Sequence, residues 1–248
     1  MKRLIKSAVN RFGAHVFSDD SLPTGVNWLH DIRRSGFVGP RPVCFDVGAN
    51  VGQTVLELRR LLPGSFIHAF EPFWAPYSQL LLACAGLNGV TTQALAMGEQ
   101  AGSISVRPRE QSVLNSLLQS GQPRDGAPLE TIRIETVDRY CVEHSIDCVD
   151  VLKTDTEGYD LQVLNGATQM LQSQRIGVVY SEVTFDPDNQ QNTPFQLVFE
   201  RLTASGYCFL GLYETYPLHN FSAPNLFCNA LFVSQARRAA AIDRRLAA

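Results

Sequence analysis

Two periodicities alternate along the chain from about residue 43 onward. Val43–Val47 (VCFDV) is an apolar run of strand length, and Gly52–Leu62 carries apolar residues at helical spacing. The same alternation recurs. It predicts strands over Ser65–Glu71, Val90–Ala96, Val149–Asp155, Ile176–Glu182, Tyr207–Leu212 and Asn225–Val233. It predicts helices over Pro76–Ala85, Asp138–Ser145, Leu161–Leu171 and Pro194–Ser205. In the Leu161–Leu171 segment, Leu161, Leu164, Ala167 or Thr168, and Leu171 form one apolar stripe. Ser103–Arg107 and Thr131–Glu135 read as short strands around a polar loop. Alternating strands and helices imply a mainly parallel sheet with helices on both faces. Tyr213–Pro224 links the last two strands with aromatic and turn residues and no helical pattern. A parallel crossover ordinarily uses a helix, so the final strand is expected to run antiparallel. This α/β unit spans 41–234. A helical extension, 1–40, precedes it, and a helical Ala/Arg-rich tail, 235–248, follows.

Composition narrows the picture. At 248 residues, with 45 % hydrophobic and 18 % charged residues, the chain suits one α/β domain with short extensions. A net charge of −3 gives no basic footprint, so nucleic acid is not expected as a partner. The six cysteines include no C-x-x-C pair, which disfavours zinc. They read as reduced thiols of a cytoplasmic protein. No stretch reaches the ~18 apolar residues of a membrane span, and no signal peptide is expected. Leu4, Ile5, Ala8, Val9 and Phe12 share one helical face, with Lys2, Arg3, Lys6 and Arg11 between them. Such a helix either packs on the domain or makes peripheral contact with an anionic membrane. A homodimer is left open.

The chemistry gathers where ligands bind in open α/β sheets, outside the carboxyl ends of the strands. After the first strand comes Asp46-Val47-Gly48-Ala49-Asn50-Val51-Gly52. Gly48 and Gly52 permit a tight bend and a ligand lying against the backbone. The dinucleotide fingerprint G-x-G-x-x-G is not met, since Asn50 stands at its second glycine. Asp46 would repel a pyrophosphate and suits a ligand with a cationic amino group. S-adenosylmethionine carries such a group, plus a sulfonium, and has no phosphate. Glu71 ends the second strand about 20 residues past the turn, where an acid can accept from ribose hydroxyls. Pro72 follows it, and Ala96 and Met97 follow the third strand. Asp155, Glu157 and Glu182 complete an acidic rim at the fourth and fifth strands.

Four stretches carry a family resemblance: "FDVGANVGQ", "FEP" (Phe70–Pro72), "ETVDRY" (Glu135–Tyr140) and "VLKTDTEGYDLQVLNGATQML" (Val151–Leu171). Together they resemble the FkbM-type family of S-adenosylmethionine-dependent methyltransferases, over roughly Val43–Glu182. Thr154 and Thr156 replace residues that are usually aliphatic in the family. The resemblance implies a Rossmann-like class I methyltransferase fold, with seven strands and the last antiparallel. It implies methyl transfer, commonly to a hydroxyl of a sugar, glycolipid or natural product. It implies Asp46, Gly48, Asn50, Gly52 and Glu71 at the cofactor.

A hydroxyl is a poor nucleophile and benefits from a base or a metal. Asp155 is the first candidate base and also lies beside the expected cofactor; Glu182 is the second. Glu157 either acts in the site or caps the next helix, and Lys153 either pairs with a site acid or covers the sheet. Asp155 and Glu182 offer two oxygens to a divalent cation, but no Asp-Asp pair supports one, so no metal is assigned. His68 reads as a packed strand residue. Ser116, in the polar loop Arg107–Pro128, and Tyr213 and His219, in the Tyr213–Pro224 loop, are expected to contact a small-molecule or glycan acceptor. The other readings are an N-methyltransferase or RNA methyltransferase, or a non-catalytic cofactor-binding partner protein.

Overall fold

The computed structural model describes residues 17, 22–108, 116–118, 129–216 and 227–247. The basic N-terminal segment therefore lies outside the described residues.

Among the described residues the strands are β1 (Val43–Val47), β2 (Phe66–Phe70), β3 (Val90–Gln93), β4 (Ala96–Met97), β5 (Gly102–Val106), β6 (Glu130–Glu135), β7 (Val149–Thr154), β8 (Ile176–Thr184), β9 (Tyr207–Tyr216) and β10 (Phe227–Ser234). The helices are α1 (Trp28–Arg34), α2 (Gln53–Leu61), α3 (Trp74–Ala83), α4 (Val137–Glu143), α5 (Asp160–Asn165), α6 (Thr168–Gln172), α7 (Phe195–Thr203) and α8 (Gln235–Leu246).

Seven strands form one sheet in the order β3-β2-β1-β7-β8-β10-β9. β10 pairs antiparallel with both β8 and β9, while β1, β2, β3, β7 and β8 run parallel. This is the expected Rossmann-like sheet with its last strand antiparallel. Each central strand sends alternate residues to opposite faces. Phe45, Leu152, Val179 and Phe232 belong to one core layer, with Val163 and Leu164 of α5 and Val198 of α7. Their neighbours Cys44, Val151, Val178 and Leu231 belong to the other, with Leu29 of α1, Val55 and Leu58 of α2 and Leu80 of α3. Strands buried on both faces explain why the sequence shows continuous apolar runs rather than alternation.

Beyond shifts of a residue or two at element ends, three elements differ from the sequence reading. The strand expected over Val90–Ala96 stops at Gln93. Ala96–Met97 joins a second, three-stranded sheet, pairing in parallel with Ile134–Glu135 of β6. The helix expected over Leu161–Leu171 is two helices. At the junction Gly166 lies so close to Gly98 that a Cβ would overlap the Gly98 carbonyl oxygen. Asp138 caps the restart, accepting from Gln169 N at 2.7 Å and Met170 N at 2.9 Å. β9 continues to Tyr216, four residues past the expected Leu212, because β10 pairs with it along its length.

Four of the six cysteines, Cys44, Cys84, Cys141 and Cys228, are buried, and all six are free thiols. His68 packs as expected, its Nδ1 3.0 Å from the Tyr140 hydroxyl. Burial and the neighbouring His144 lower its pKa to about 4, so it is neutral. Among the described residues, no helix is long and apolar enough to cross a membrane.

Candidate active site

The turn after β1 is built by backbone bonds to the two strands beside it. Gly48 N and Ala49 N both donate to the Phe70 carbonyl at 3.0 Å, and Asp155 N donates to Val47 O at 3.0 Å. The ends of β1, β2 and β7 are thereby stitched into one floor. Gly48 has φ 82°, and a Cβ there would overlap the Asp155 carbonyl oxygen. No other residue fits the position.

Glu71 closes the turn from the β2 side. Its Oε2 accepts from Asn50 N at 3.0 Å and its Oε1 from Phe73 N at 2.9 Å. Burial pushes its pKa up to about 7, against the pull of those two backbone bonds. Asn50 sits at φ 47°, and its buried Oδ1 has no hydrogen-bond partner. An orphaned acceptor in a buried turn calls for a donor from a ligand.

A cavity of about 490 Å³ opens over this floor, a size typical of small-molecule sites. Glu71, Pro72 and Phe73 line it after β2, and Lys153, Asp155, Glu157 and Glu182 line it at β7 and β8, on the other side of β1. Lys153 Nζ lies 3.1 Å from Asp155 Oδ2 and 3.3 Å from Asp46 Oδ1. The strand register dictates this, since Asp46 and Lys153 are direct partners across β1 and β7. Burial alone would lower the Lys153 pKa, but Asp155 and Asp46 outweigh it and hold the amine above its ordinary range. Burial raises Asp46, with Lys153 pulling the other way.

Asp155, Glu157 and Glu182 each bring a carboxylate oxygen within 4.8 Å of the others. That spacing would suit a divalent cation. Lys153 is the counter-ion of Asp155, and Asn192 Nδ2, a neutral donor, hydrogen-bonds Glu182 Oε2 at 2.6 Å. Burial, with Asp155, Glu157 and Asp160 nearby, raises Glu182 well above the usual carboxyl range.

Of the residues singled out in the sequence, Gly48, Asn50, Glu71, Pro72, Ala96, Met97, Lys153, Asp155, Glu157 and Glu182 line the cavity. Asp46 and Gly52 do not. Asp46 is fully buried beneath the floor, paired with Lys153, and Gly52 lies behind the turn against Leu80 and Ala83. Ser116 also stays off the wall, its hydroxyl accepting from Leu118 N at 3.1 Å, while its neighbour Leu117 lines the cavity. Tyr213 is part of β9 rather than a loop. It is buried on the far layer, and its hydroxyl donates to Asp31 Oδ2 at 2.9 Å. His219 lies outside the described residues. The sequence reading missed Gln53, Tyr159, Gln191, Asn192 and Phe227. Gln53 was detectable as the first residue of the helix after the glycine turn; the others carry no local signal.

Residues 46–209 match the methyltransferase FkbM domain. The chain belongs to this family. No curated protein matches it. Solved structures similar to this FkbM methyltransferase include N-methyltransferase NodS from Bradyrhizobium japonicum WM9, at 9% identity and TM-score 0.47, over 83% of this chain and 93% of that one. An rRNA methylase from Streptococcus thermophilus is similar at 10% identity and TM-score 0.46, over 84% of this chain and 96% of that one. Aeropyrum pernix fibrillarin in complex with S-adenosyl-L-methionine is similar at 11% identity and TM-score 0.45, over 79% and 68%.

The FkbM site fits S-adenosylmethionine on its own features. The Gly48 cradle admits close approach, the Asn50 Oδ1 awaits a donor, and both Glu71 oxygens retain lone pairs for ribose hydroxyls. Asp46 takes a different part from the expected one. Rather than meeting the cofactor's amino group, it anchors Lys153 from below the floor.

Proposed function

We propose that this FkbM methyltransferase transfers a methyl group to a hydroxyl of a sugar, glycolipid or natural product. One observation carries the reading: Asp155 stands in the cavity wall just after β7, on the other side of β1 from Glu71, with Lys153 Nζ 3.1 Å from its Oδ2. When bound, S-adenosylmethionine supplies a methyl group already activated on a sulfonium. The protein's tasks are then to align the acceptor and to take its proton.

Glu71 and the Gly48–Asn50 turn hold the cofactor end. Asp155 receives the proton of the acceptor hydroxyl, and Lys153 fixes the carboxylate that does so. Glu157 and Glu182 frame the acceptor, with Tyr159 and Phe227 as apolar walls. Free thiols throughout support a reducing, cytoplasmic location. Peripheral membrane contact through the basic N-terminal residues belongs to the same reading, because a glycolipid acceptor would be met at such a surface.

The test is methyl transfer from labelled S-adenosylmethionine to a panel of hydroxylated sugars and lipids, read by mass spectrometry. Asp155→Asn should abolish transfer while S-adenosylhomocysteine still binds. A fully active Asp155→Asn variant would remove Asp155 from the role.

A further inference from the structure

Glu182 is only 6 % exposed and stands among Asp155, Glu157 and Asp160. A carboxyl in such company needs a partner to hold its orientation. That partner is Asn192, at 2.6 Å. Asn192 is locked in turn. Its Oδ1 accepts from Asn189 Nδ2 at 2.8 Å, and its backbone N donates to Asn189 Oδ1 at 3.1 Å. Asn189 Nδ2 also donates to Thr184 Oγ1 at 3.3 Å, and both asparagines are less than a tenth exposed.

The chain of amides has a direction. Asn189 donates to the oxygen of Asn192, so the Asn192 nitrogen must face Glu182; the reverse orientation would set N–H against N–H. An N–H donor occupies Glu182 Oε2 as an acceptor. Oε1 is then the oxygen with no lone pair committed to Asn192, and the better placed to act on anything in the cavity.

We propose that Asn192, locked by Asn189, is a positioning residue that aims the free oxygen of Glu182 into the acceptor end of the cavity. This rests on the methyltransferase reading above. It makes the segment 185–193 a determinant of what the acceptor presents to Glu182. A cationic group is favoured there, since its approach draws the proton from Glu182 and pairs with the carboxylate.

The test needs no acceptor. It compares calorimetric affinities for S-adenosylhomocysteine and for sinefungin, the analogue with an amine in place of the S-methyl group. The wild type should prefer the amine by about tenfold, as expected for a charge-assisted contact. Asn192→Ala should erase most of that preference while changing S-adenosylhomocysteine affinity less than about threefold. Asn189→Ala, which leaves the Asn192 amide in place but unlocked, should give an intermediate preference and serves if Asn192→Ala does not fold. Equal affinity of the wild type for the two ligands, or a wild-type ratio in the variants, would overturn the proposal. Failure of the wild type to bind S-adenosylhomocysteine would instead defeat the underlying methyltransferase reading.

Discussion

Asp46 and Lys153 face each other across neighbouring parallel strands, 3.3 Å apart, with Asp46 wholly buried. Neither Asp46 oxygen has a hydrogen-bond partner of good geometry, so the ammonium is its principal compensation. Removing one member of such a buried pair strands the other. Lys153→Met should cost about 3–5 kcal/mol of stability, and Lys153→Met with Asp46→Leu should recover most of it. Denaturant titration of the two variants checks this. A single variant as stable as wild type would show that Asp46 has another partner.

Gly48 should tolerate no side chain. Gly48→Ala places a Cβ against the Asp155 carbonyl oxygen in a backbone conformation at φ 82°. The strain should cost at least about 1–3 kcal/mol, and the displaced Asp155 backbone should spoil the cavity floor. Thermal unfolding together with S-adenosylhomocysteine titration reads both effects. Wild-type stability with wild-type affinity would contradict the close approach.

Cofactor affinity should depend on pH through Glu71. Its pKa is raised to about 7 by burial, so the free protein partly protonates it at neutral pH. The carboxylate is the better acceptor for ribose hydroxyls, so affinity should fall as pH drops from 8 to 6. Glu71→Gln should weaken binding by ~1.5–3 kcal/mol and flatten that profile. An unchanged profile in Glu71→Gln would assign the dependence elsewhere.

Stability of the unliganded protein should run the opposite way to that of most acid-paired proteins. Burial raises Glu71 to about 7 and Asp160 to about 6, and raises Glu182 as well. These carboxyls bind protons more tightly folded than unfolded. Their contribution is therefore full below the unfolded carboxyl range, near pH 4, and is lost as pH rises through about 6 to 7. The unfolding midpoint should rise as pH is lowered from 8 to 6. A midpoint that falls over this range would mean that other groups dominate.

The parallel sheet and the Gly48–Gly52 turn were legible because they rest on local signals. These are apolar runs of strand length, and glycines where a strand gives way to a helix. The acids at strand ends were legible for the same reason: their positions follow from the sheet. What escaped depends on tertiary register. Asp46 looked like a cofactor ligand until its register with Lys153 across β1 and β7 set it beneath the floor. Tyr213 looked like a loop residue, because nothing local shows that β10 pairs with β9 as far as Tyr216. Asn192 follows β8 in a polar segment, and only the folded loop brings it to Glu182.

The most direct test of the central claim is calorimetric titration of the purified protein with S-adenosylhomocysteine, with NAD as the comparison. Saturable one-to-one binding of S-adenosylhomocysteine, absent with NAD and weakened in Glu71→Gln, is the predicted result. Binding of NAD alone, or of S-adenosylhomocysteine with wild-type affinity in Glu71→Gln, would contradict the site described above.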